Sequence, residues 1–510
     1  MSTYRILFCV SEAYPLIKTG GLADVAGSLP RALYHLKHDV RLVMPAYRSV
    51  MAVLKTRPKL RYQSHIDGYP VGILQTTLPD SHIPVWLVDC PPLFDRPGSP
   101  YHDTQGISWT DNDRRFCLFN KVIVQLANNQ FAMDWQPQLV HCHDWQTGLV
   151  PALLNVQAQR PATVFTIHNL AYQGLFDRQS FEQLGLPKYL WHNTQLKHDD
   201  GYAFIKGGLV NADYINTVSP NYAREIQTPA FGHGMQALLQ NRATHLSGIT
   251  NGIDDRTWNS ATDKLITQTY NRQNLNKKFI NKQSLQQHFK LAQRDDVFVM
   301  GLVSRLVKQK GIDMLIDILP QLMAMPVQLV ILGSGDNIYE QALLDAAEKY
   351  KGKMGTQIGF DEALAHQIEA GIDVFLMPSR FEPCGLNQMY SQRYGSLPIV
   401  TPVGGLSDTV INASDEHLAD STARGFVMAE VSKSALLQTI ERALQLYQNK
   451  SAWLKLQHTA MKADFSWSNS AESYSSLYAQ ALLDRSQLDH SPRYHAQIEQ
   501  ETGVQYLLTR

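Results

Sequence analysis

Residues 4–45 hold a strand, a glycine loop, a helix and a second strand in immediate succession. That order commits the start of the chain to a parallel strand–helix–strand unit. Residues 5–10 (RILFCV) form the short β-branched and apolar run of a buried parallel strand. Residues 21–37 place Leu22, Val25, Leu29, Leu33 and Leu36 at helical spacing, and residues 38–44 (HDVRLVM) return as a strand. The connection reads KTGGLADV at 18–25. Gly20 and Gly21 let a ligand approach the backbone, and the first amides of the helix face outward at a positive dipole end. Lys18 adds a mobile positive charge, so the loop suits an anion. A lone Gly-Gly pair would be no more than a flexible turn. The pattern returns, however, at Gly404-Gly405-Leu406-Ser407-Asp408, which points to two halves of one site.

A chain of 510 residues exceeds a single hydrophobic core, so two large domains are expected. Its 46 basic and 46 acidic residues cancel and no basic run occurs, which argues against nucleic acid or an anionic membrane as a partner. An anionic ligand must then be met by local charges. Five scattered cysteines without a Cys-x-x-Cys pair fit a reducing compartment and no zinc site. With no signal-peptide pattern and no apolar run near 18 residues, a cytoplasmic protein is expected.

Further short apolar runs ending in polar residues follow at 85–89, 139–144, 163–168 and 214–218, with helical stretches between them. This is an open α/β sheet with polar residues at the carboxyl ends of its strands, where such folds bind ligands. Residues 50–80 and 92–112, richer in Pro, Gly and Asp, read as excursions. A turn at 251–254 (NGID) and a polar stretch to 296 precede a second series of strands at 297–303, 327–332, 356–358, 374–377 and 398–400. Helices at 311–322 and 339–351 alternate with them. The expected layout is one doubly wound domain over 1–252, a second over 253–465, a hinge near 251–258, a final helix at 466–483 and a polar tail at 484–510.

Several strand ends carry chemistry. In SRLVKQKG (304–311), Arg305 and Lys310 are cations beside a helix start. The helix dipole opposes them unless they are merely solvated or an anion neutralises them. Gly333-Ser334-Gly335 is a weak glycine signal. Glu382 in RFEPCG (380–385) stands at another strand-to-helix junction, where a favourable dipole contact is the plain reading. Phe360 is placed to stack a base, although a lone aromatic is more often core. His143, Asp144 and His168 match no zinc spacing, which favours hydrogen-bonding roles.

KTGGLADV, HCHDW, TIHN, NTVSP, NGID, SRLVKQKG and RFEPCG, in this order and spacing, resemble bacterial glycogen synthase, the family shared with plant starch synthases. The likeness runs from about residue 5 to residue 483. It implies a GT-B fold: two Rossmann-like domains facing across a deep cleft, with the C-terminal helix crossing back to the first. It also implies retaining transfer of glucose from ADP-glucose to the non-reducing end of an α-1,4-glucan, with no metal or other cofactor. By position, Arg305 and Lys310 would hold the diphosphate, joined by the Gly20 and Gly21 amides and Lys18. Glu382, with the backbone at Cys384 and Gly385, would grip the glucose hydroxyls. The His168 carbonyl would support a developing oxocarbenium. Asp144 and Asp24 would line the pocket, Tyr101 and Trp145 the acceptor side. Asn169, Asn251, Phe360, Gly404 and Gly405 complete the expected substrate contacts. The chain departs from the family's pattern at Phe360 (usually Tyr), Val403 and Asn387 (usually Thr) and Gln236 (usually Glu). Tyr390 stands where related retaining transferases carry a second Glu. The competing readings are another retaining nucleotide-sugar transferase or an epimerase on this fold, or a silent glycan-binding protein. A silent protein should have lost Arg305, Lys310 or Glu382, and all three are present. Oligomeric state is not legible.

Overall fold

The computed structural model describes residues 3–157, 159–192 and 195–489. The chain divides into two units. The first takes the residues up to Val218, then Ala223–Gly252, then the segment from Trp467; the second takes Ser219–Tyr222 and Ile253–Ser466. The crossings at Gly252/Ile253 and Ser466/Trp467 lie side by side, because the Ile253 amide donates to the Phe465 carbonyl at 2.8 Å.

In the first unit the sheet runs, in spatial order, Leu246–Gly248, Tyr214–Thr217, Ala162–Ile167, Leu139–His143, Arg5–Cys9, Asp39–Pro45, Pro84–Asp89, Tyr69–Thr77, Lys59–Ile66. The first seven pair in parallel, and Tyr69–Thr77 and Lys59–Ile66 add antiparallel. Residues 59–77 are therefore not an excursion but a hairpin that extends the sheet. Lys59–Ile66 is largely exposed and carries Lys59, Arg61 and His65. Such charge suits an edge strand, and it hides the strand from an apolar count.

Counted along the chain, the parallel strands take the order 3-2-1-4-5-6-7, the doubly wound 3-2-1-4-5-6 pattern with one strand added. Its reversal lies between Arg5–Cys9 and Leu139–His143. Helix Gly21–His35 buries Leu22, Val25, Leu29 and Leu33, the face its spacing predicts. The last helix, Trp467–Asp489, packs on Gly21–His35 and on strand Ala162–Ile167. Its buried face is polar as well as apolar: Tyr478 Oη lies 2.8 Å from His141 Nδ1, Tyr474 Oη accepts from Asn216 Nδ2 at 3.1 Å, and Ser475 Oγ lies 3.0 Å from His38 Nε2. The helix continues six residues beyond the expected end at Leu483. Within that extension Arg485 is buried, and Asp484 accepts from the Tyr214 hydroxyl at 2.6 Å. These contacts stabilise the helix where its own sequence turns polar. The rest of the expected tail, 490–510, lies outside the described residues.

In the second unit six parallel strands run Met354–Ile358, Val327–Gly333, Phe298–Val303, Val374–Met377, Leu397–Val400, Phe426–Val427. This too is the order 3-2-1-4-5-6, reversing between Phe298–Val303 and Val374–Met377. The polar stretch before the first strand contains helix Lys278–His288, which the sequence conceals. Its two buried lysines act as tethers. Lys278 Nζ donates to the Glu369 and Ala370 carbonyls at 3.1 and 2.8 Å, at the end of helix Glu362–Gly371. Lys282 Nζ pairs with Asp373 at 2.7 Å. A cation at a helix C-terminus opposes the dipole charge there.

Candidate active site

Ligands of doubly wound sheets bind outside the strand carboxyl ends at the point of reversal, so each unit presents one candidate face. In the second unit, the segment after Phe298–Val303 brings Arg305 and Lys310, and the segment after Val374–Met377 brings Ser379 and Glu382. Lys310 Nζ reaches Glu382 Oε2 at 2.5 Å, and Ser379 Oγ donates to the same oxygen at 3.0 Å. Gln309 stitches the two segments: its Nε2 donates to the Phe381 carbonyl at 3.0 Å and its carbonyl accepts from the Arg380 amide at 2.8 Å. Arg380 forks onto Asp313 at 2.7 and 2.8 Å. Arg305 is exposed, with one guanidinium nitrogen 3.2 Å from Gln309 Oε1. Lys308, in the same motif, is exposed.

The two Gly-Gly-Leu-x-Asp loops have different physical reasons. A Cβ on Gly404 would fall 1.9 Å from the Glu382 carbonyl oxygen, and φ there is +43°. A Cβ on Gly405 would fall 2.3 Å from the Cys384 oxygen. Moreover, the Gly405 amide already donates to the Glu382 and Pro383 carbonyls, both at 3.1 Å. The second pair therefore packs beneath the turn that carries Glu382. Cys384 is buried, its carbonyl held by Gln388 Nε2 at 3.1 Å, and Gly385 has φ +72°. By contrast, Gly20 and Gly21 are exposed, and a Cβ on either meets nothing within 4 Å. Packing does not require glycine at 20 and 21, which leaves close approach of a ligand as the physical reason. Phe360, 83% exposed beyond strand Met354–Ile358, is an open aromatic face.

In the first unit Lys18 is not free; its Nζ pairs with Asp24 at 2.7 Å. Asp144 has φ +55° and ψ −177°, a region nearly reserved for glycine and costing about 1–3 kcal/mol elsewhere. Three bonds hold it there: its amide donates to the Thr166 carbonyl at 3.0 Å, its carbonyl accepts from the Thr147 amide at 3.1 Å, and its Oδ1 accepts from the His168 amide at 2.7 Å. Asp144 thus fixes the turn at His168 as well as facing the strand ends. Burial pushes the Asp144 carboxyl up to about 7, against the hydrogen bonds from the His168 and Asn169 amides. His168 Nε2 lies 2.9 Å from His143 Nδ1, and burial pushes the His168 imidazole down to about 3, so it is neutral at working pH. Asn169 Oδ1 accepts from the Ala171 amide at 3.0 Å.

Tyr101 Oη lies 2.7 Å from Ser11 Oγ. Its loop is anchored by the buried Arg115, which donates to the Leu93 and Pro100 carbonyls, both at 2.8 Å. Trp145 packs edge-on to Phe116 (centroids 4.9 Å) beside Phe176 and Phe204, so part of its surface belongs to a ring cluster. Asn251 is buried at the end of the first unit. Sequence reasoning passed over Ser379, Gln309 and Glu12; each lies within a few residues of a strand end or inside a matched motif, which is the available signal. Among the described residues no group of three or more His, Cys, Asp or Glu side chains is placed to hold a metal ion, and no helix is long and apolar enough to cross a membrane.

Residues 283–456 match the family model for glycosyl transferases group 1, and residues 5–241 match that of the starch synthase catalytic domain. With two Rossmann-like units, each presenting polar and charged side chains at its strand reversal, the chain is a glycosyltransferase of the GT-B class. Glycogen synthase 1 of Methylococcus capsulatus is 50% identical over 478 residues, covering 94% of this chain and 97% of that one. Glycogen synthase of Cellvibrio japonicus is 50% identical over 477 residues, covering 93% and 99%. The solved catalytic domain of Starch Synthase IV from Arabidopsis thaliana, bound to ADP and acarbose, superposes with a TM-score of 0.83 at 30% identity, covering 94% of this chain and all of that one. The chain belongs to the glycogen synthases of the glycogen and starch synthase family. It is a glucan-building glycosyltransferase that takes a nucleotide-sugar donor and a glucan acceptor.

Proposed function

We propose that the donor is ADP-glucose and that the glucosyl group passes, with retention, to the non-reducing end of an α-1,4-glucan. The observation that carries this is the Lys310–Glu382 pair at the strand reversal of the second unit, beside the exposed Arg305. As the nucleoside diphosphate leaves, negative charge grows on its outer phosphate, and fixed cations stabilise that charge more in the transition state than in the ground state. Glu382, buried and oriented by Ser379, grips glucose hydroxyls while fixing the lysine. On the first unit a Cβ on Gly20 or Gly21 would meet nothing within 4 Å, so a diphosphate can come close there, and the Gly21 amide suits its oxygens. Asp144 aims the His168 turn, whose carbonyl opposes the positive charge developing at the anomeric carbon. Phe360 offers a face for the adenine. Support for ADP comes from the starch synthase relative bound to ADP and acarbose, and for acceptor binding from Tyr101 and Trp145 side by side.

We infer that turnover needs no divalent ion, since Arg305, Lys310 and Lys18 supply the charge that a metal supplies elsewhere. A cytoplasmic setting is supported by five buried free cysteines. Initial rates with ADP-glucose and UDP-glucose on glycogen, each with and without EDTA, test the reading. Higher kcat/KM for ADP-glucose, unchanged by EDTA, is expected. A preference for UDP-glucose overturns the donor assignment, and activity lost in EDTA and restored by Mg²⁺ overturns the metal-free one.

A further inference from the structure

Apart from the Lys18–Asp24 pair and the Ala23 amide on the Gly20 carbonyl at 3.2 Å, the Lys18–Gly21 loop has little of its own to hold it. Lys18, Thr19, Gly20 and Gly21 are all exposed, and neither glycine has a packing neighbour. A loop that must present amides to a diphosphate needs an anchor, and one lies beneath it. Glu12, three residues beyond the end of strand Arg5–Cys9, is 3% exposed, and its Oε2 accepts the Thr19 amide at 2.5 Å. The same carboxylate also takes hydrogen bonds from the Thr19 side chain and the Gly20 amide. Three donors from two consecutive residues converge on one buried carboxylate, which fixes the direction of the peptide entering Gly20 and Gly21.

We propose that Glu12 is the positioning residue of the donor-phosphate loop: its buried carboxylate clamps Thr19 and Gly20 so that the Gly21 amide, next in the chain, meets the diphosphate already oriented. This rests on reading the Gly21 amide as the phosphate ligand, with Gly20 leaving open room for the diphosphate beside it. The clamp is one of preorganisation, which lowers the cost of binding without touching the reacting atoms. Burial lifts the Glu12 carboxyl to about 7, with Asp24 adding to the rise and the Thr19 and Gly20 bonds opposing it. The titratable groups facing it are Asp24 (paired with Lys18), Asp144, Tyr47 and Tyr101. The ionised carboxylate is the stronger acceptor, so the clamp weakens as pH falls through neutrality.

The test is donor KM, kcat and ADP affinity by calorimetry for the wild type, Glu12→Ala and Glu12→Gln, with Lys310→Ala as a reference. Glu12→Ala should raise donor KM and the ADP dissociation constant by about 10- to 100-fold, the range for losing hydrogen bonds to a charged group, with kcat changed far less. Glu12→Gln, nearly isosteric and still an acceptor, should recover most of that loss. Donor KM of the wild type should rise between pH 8 and pH 6, and the Glu12→Gln profile should be flatter. Wild-type KM and ADP affinity in both variants would overturn the clamp. So would a Glu12→Gln pH profile identical to the wild type, because Asp144 is common to both. If ADP binds the wild type and weakens in Lys310→Ala while the Glu12 series is unchanged, only this inference fails. If ADP does not bind the wild type, the donor reading itself fails.

Discussion

Replacing Lys310 by alanine should do two separable things. First, it removes the cation that meets the leaving diphosphate. Loss of one such electrostatic partner costs about 2.7–4 kcal/mol, or roughly 10²–10³ in kcat. Second, it strands Glu382, whose side chain is 10% exposed and whose partner Lys310 is 18% exposed. Exposed pairs contribute about 0.2–1 kcal/mol, whereas breaking a buried one costs about 3–5 kcal/mol. A pair this little screened should cost about 2–3 kcal/mol, lowering the melting transition by about 4–12 °C for a unit of this size. The motif alone makes Lys310 a surface cation with no effect on the fold; the ion pair changes that expectation. Glu382→Gln in the Lys310→Ala background removes the stranded charge and should restore the midpoint but not kcat. Lys308→Ala, at an exposed position whose contribution to the site is a main-chain carbonyl to Arg380, should stay within about 0.5 kcal/mol and keep wild-type kcat. Calorimetry beside initial rates of ADP release reads both effects. If Lys310→Ala and Lys308→Ala share one kcat, the phosphate-site reading is wrong. If kcat recovers together with the midpoint in the double variant, the loss was one of folding.

Phe360→Ala should leave stability untouched, because the ring is 83% exposed, and raise donor KM about 5- to 150-fold, as expected for about 1–3 kcal/mol of base stacking; an unchanged KM would remove Phe360 from the site. Gly21→Ala and Gly404→Ala should fail in opposite ways. The first should fold normally with weakened donor binding, whereas the second should melt early or not fold, because its Cβ would meet the Glu382 oxygen at 1.9 Å; thermal scans and ADP titration separate them, and equal midpoints would contradict the packing argument. For Asp144, the folded carboxyl titrates near 7 against about 3.9 when unfolded. Between these values the folded state keeps a proton the unfolded state releases, so this group's stability contribution, full below about pH 4, is lost as pH rises to about 7. Asp144→Asn keeps the acceptor for the His168 amide and lacks that slope. Its advantage over the wild type should grow from pH 4.5 to 7.5 by about 3 kcal/mol in chemical denaturation, and parallel curves would refute the assignment.

What was legible in the sequence follows the physics of burial. Leu139–His143 and Ala162–Ile167 are buried along their whole length, so apolar runs located them, and the polar residues just past them located Asp144 and His168. Lys59–Ile66 was missed because an edge strand faces water and reads as a polar loop. Helix Lys278–His288 was missed because Lys278 and Lys282 are buried by partners at Glu369, Ala370 and Asp373, some ninety residues away, which no local pattern reports. At the site, the motifs named side chains but not their pairing. Lys310 with Glu382, Lys18 with Asp24, and the Gly404–Gly405 pair packed under the Glu382 turn are products of the fold.

The last helix belongs to the first unit although the whole second unit is made before it. Until Trp467–Asp489 leaves the ribosome, His141, Asn216 and His38 lack Tyr478, Tyr474 and Ser475, and the face of Gly21–His35 that this helix covers stays open to water. At about 5–20 residues per second, the wait from Gly252 to Asp489 lasts roughly 10–50 s. Apart from Ser219–Tyr222, made earlier still, the second unit is contiguous from Ile253 to Ser466, so it can finish folding while the first is still incomplete. Synthesis order is thereby inverted: the N-terminal half is the last to mature. A chain cut short anywhere before the final helix would expose the core of the unit made first.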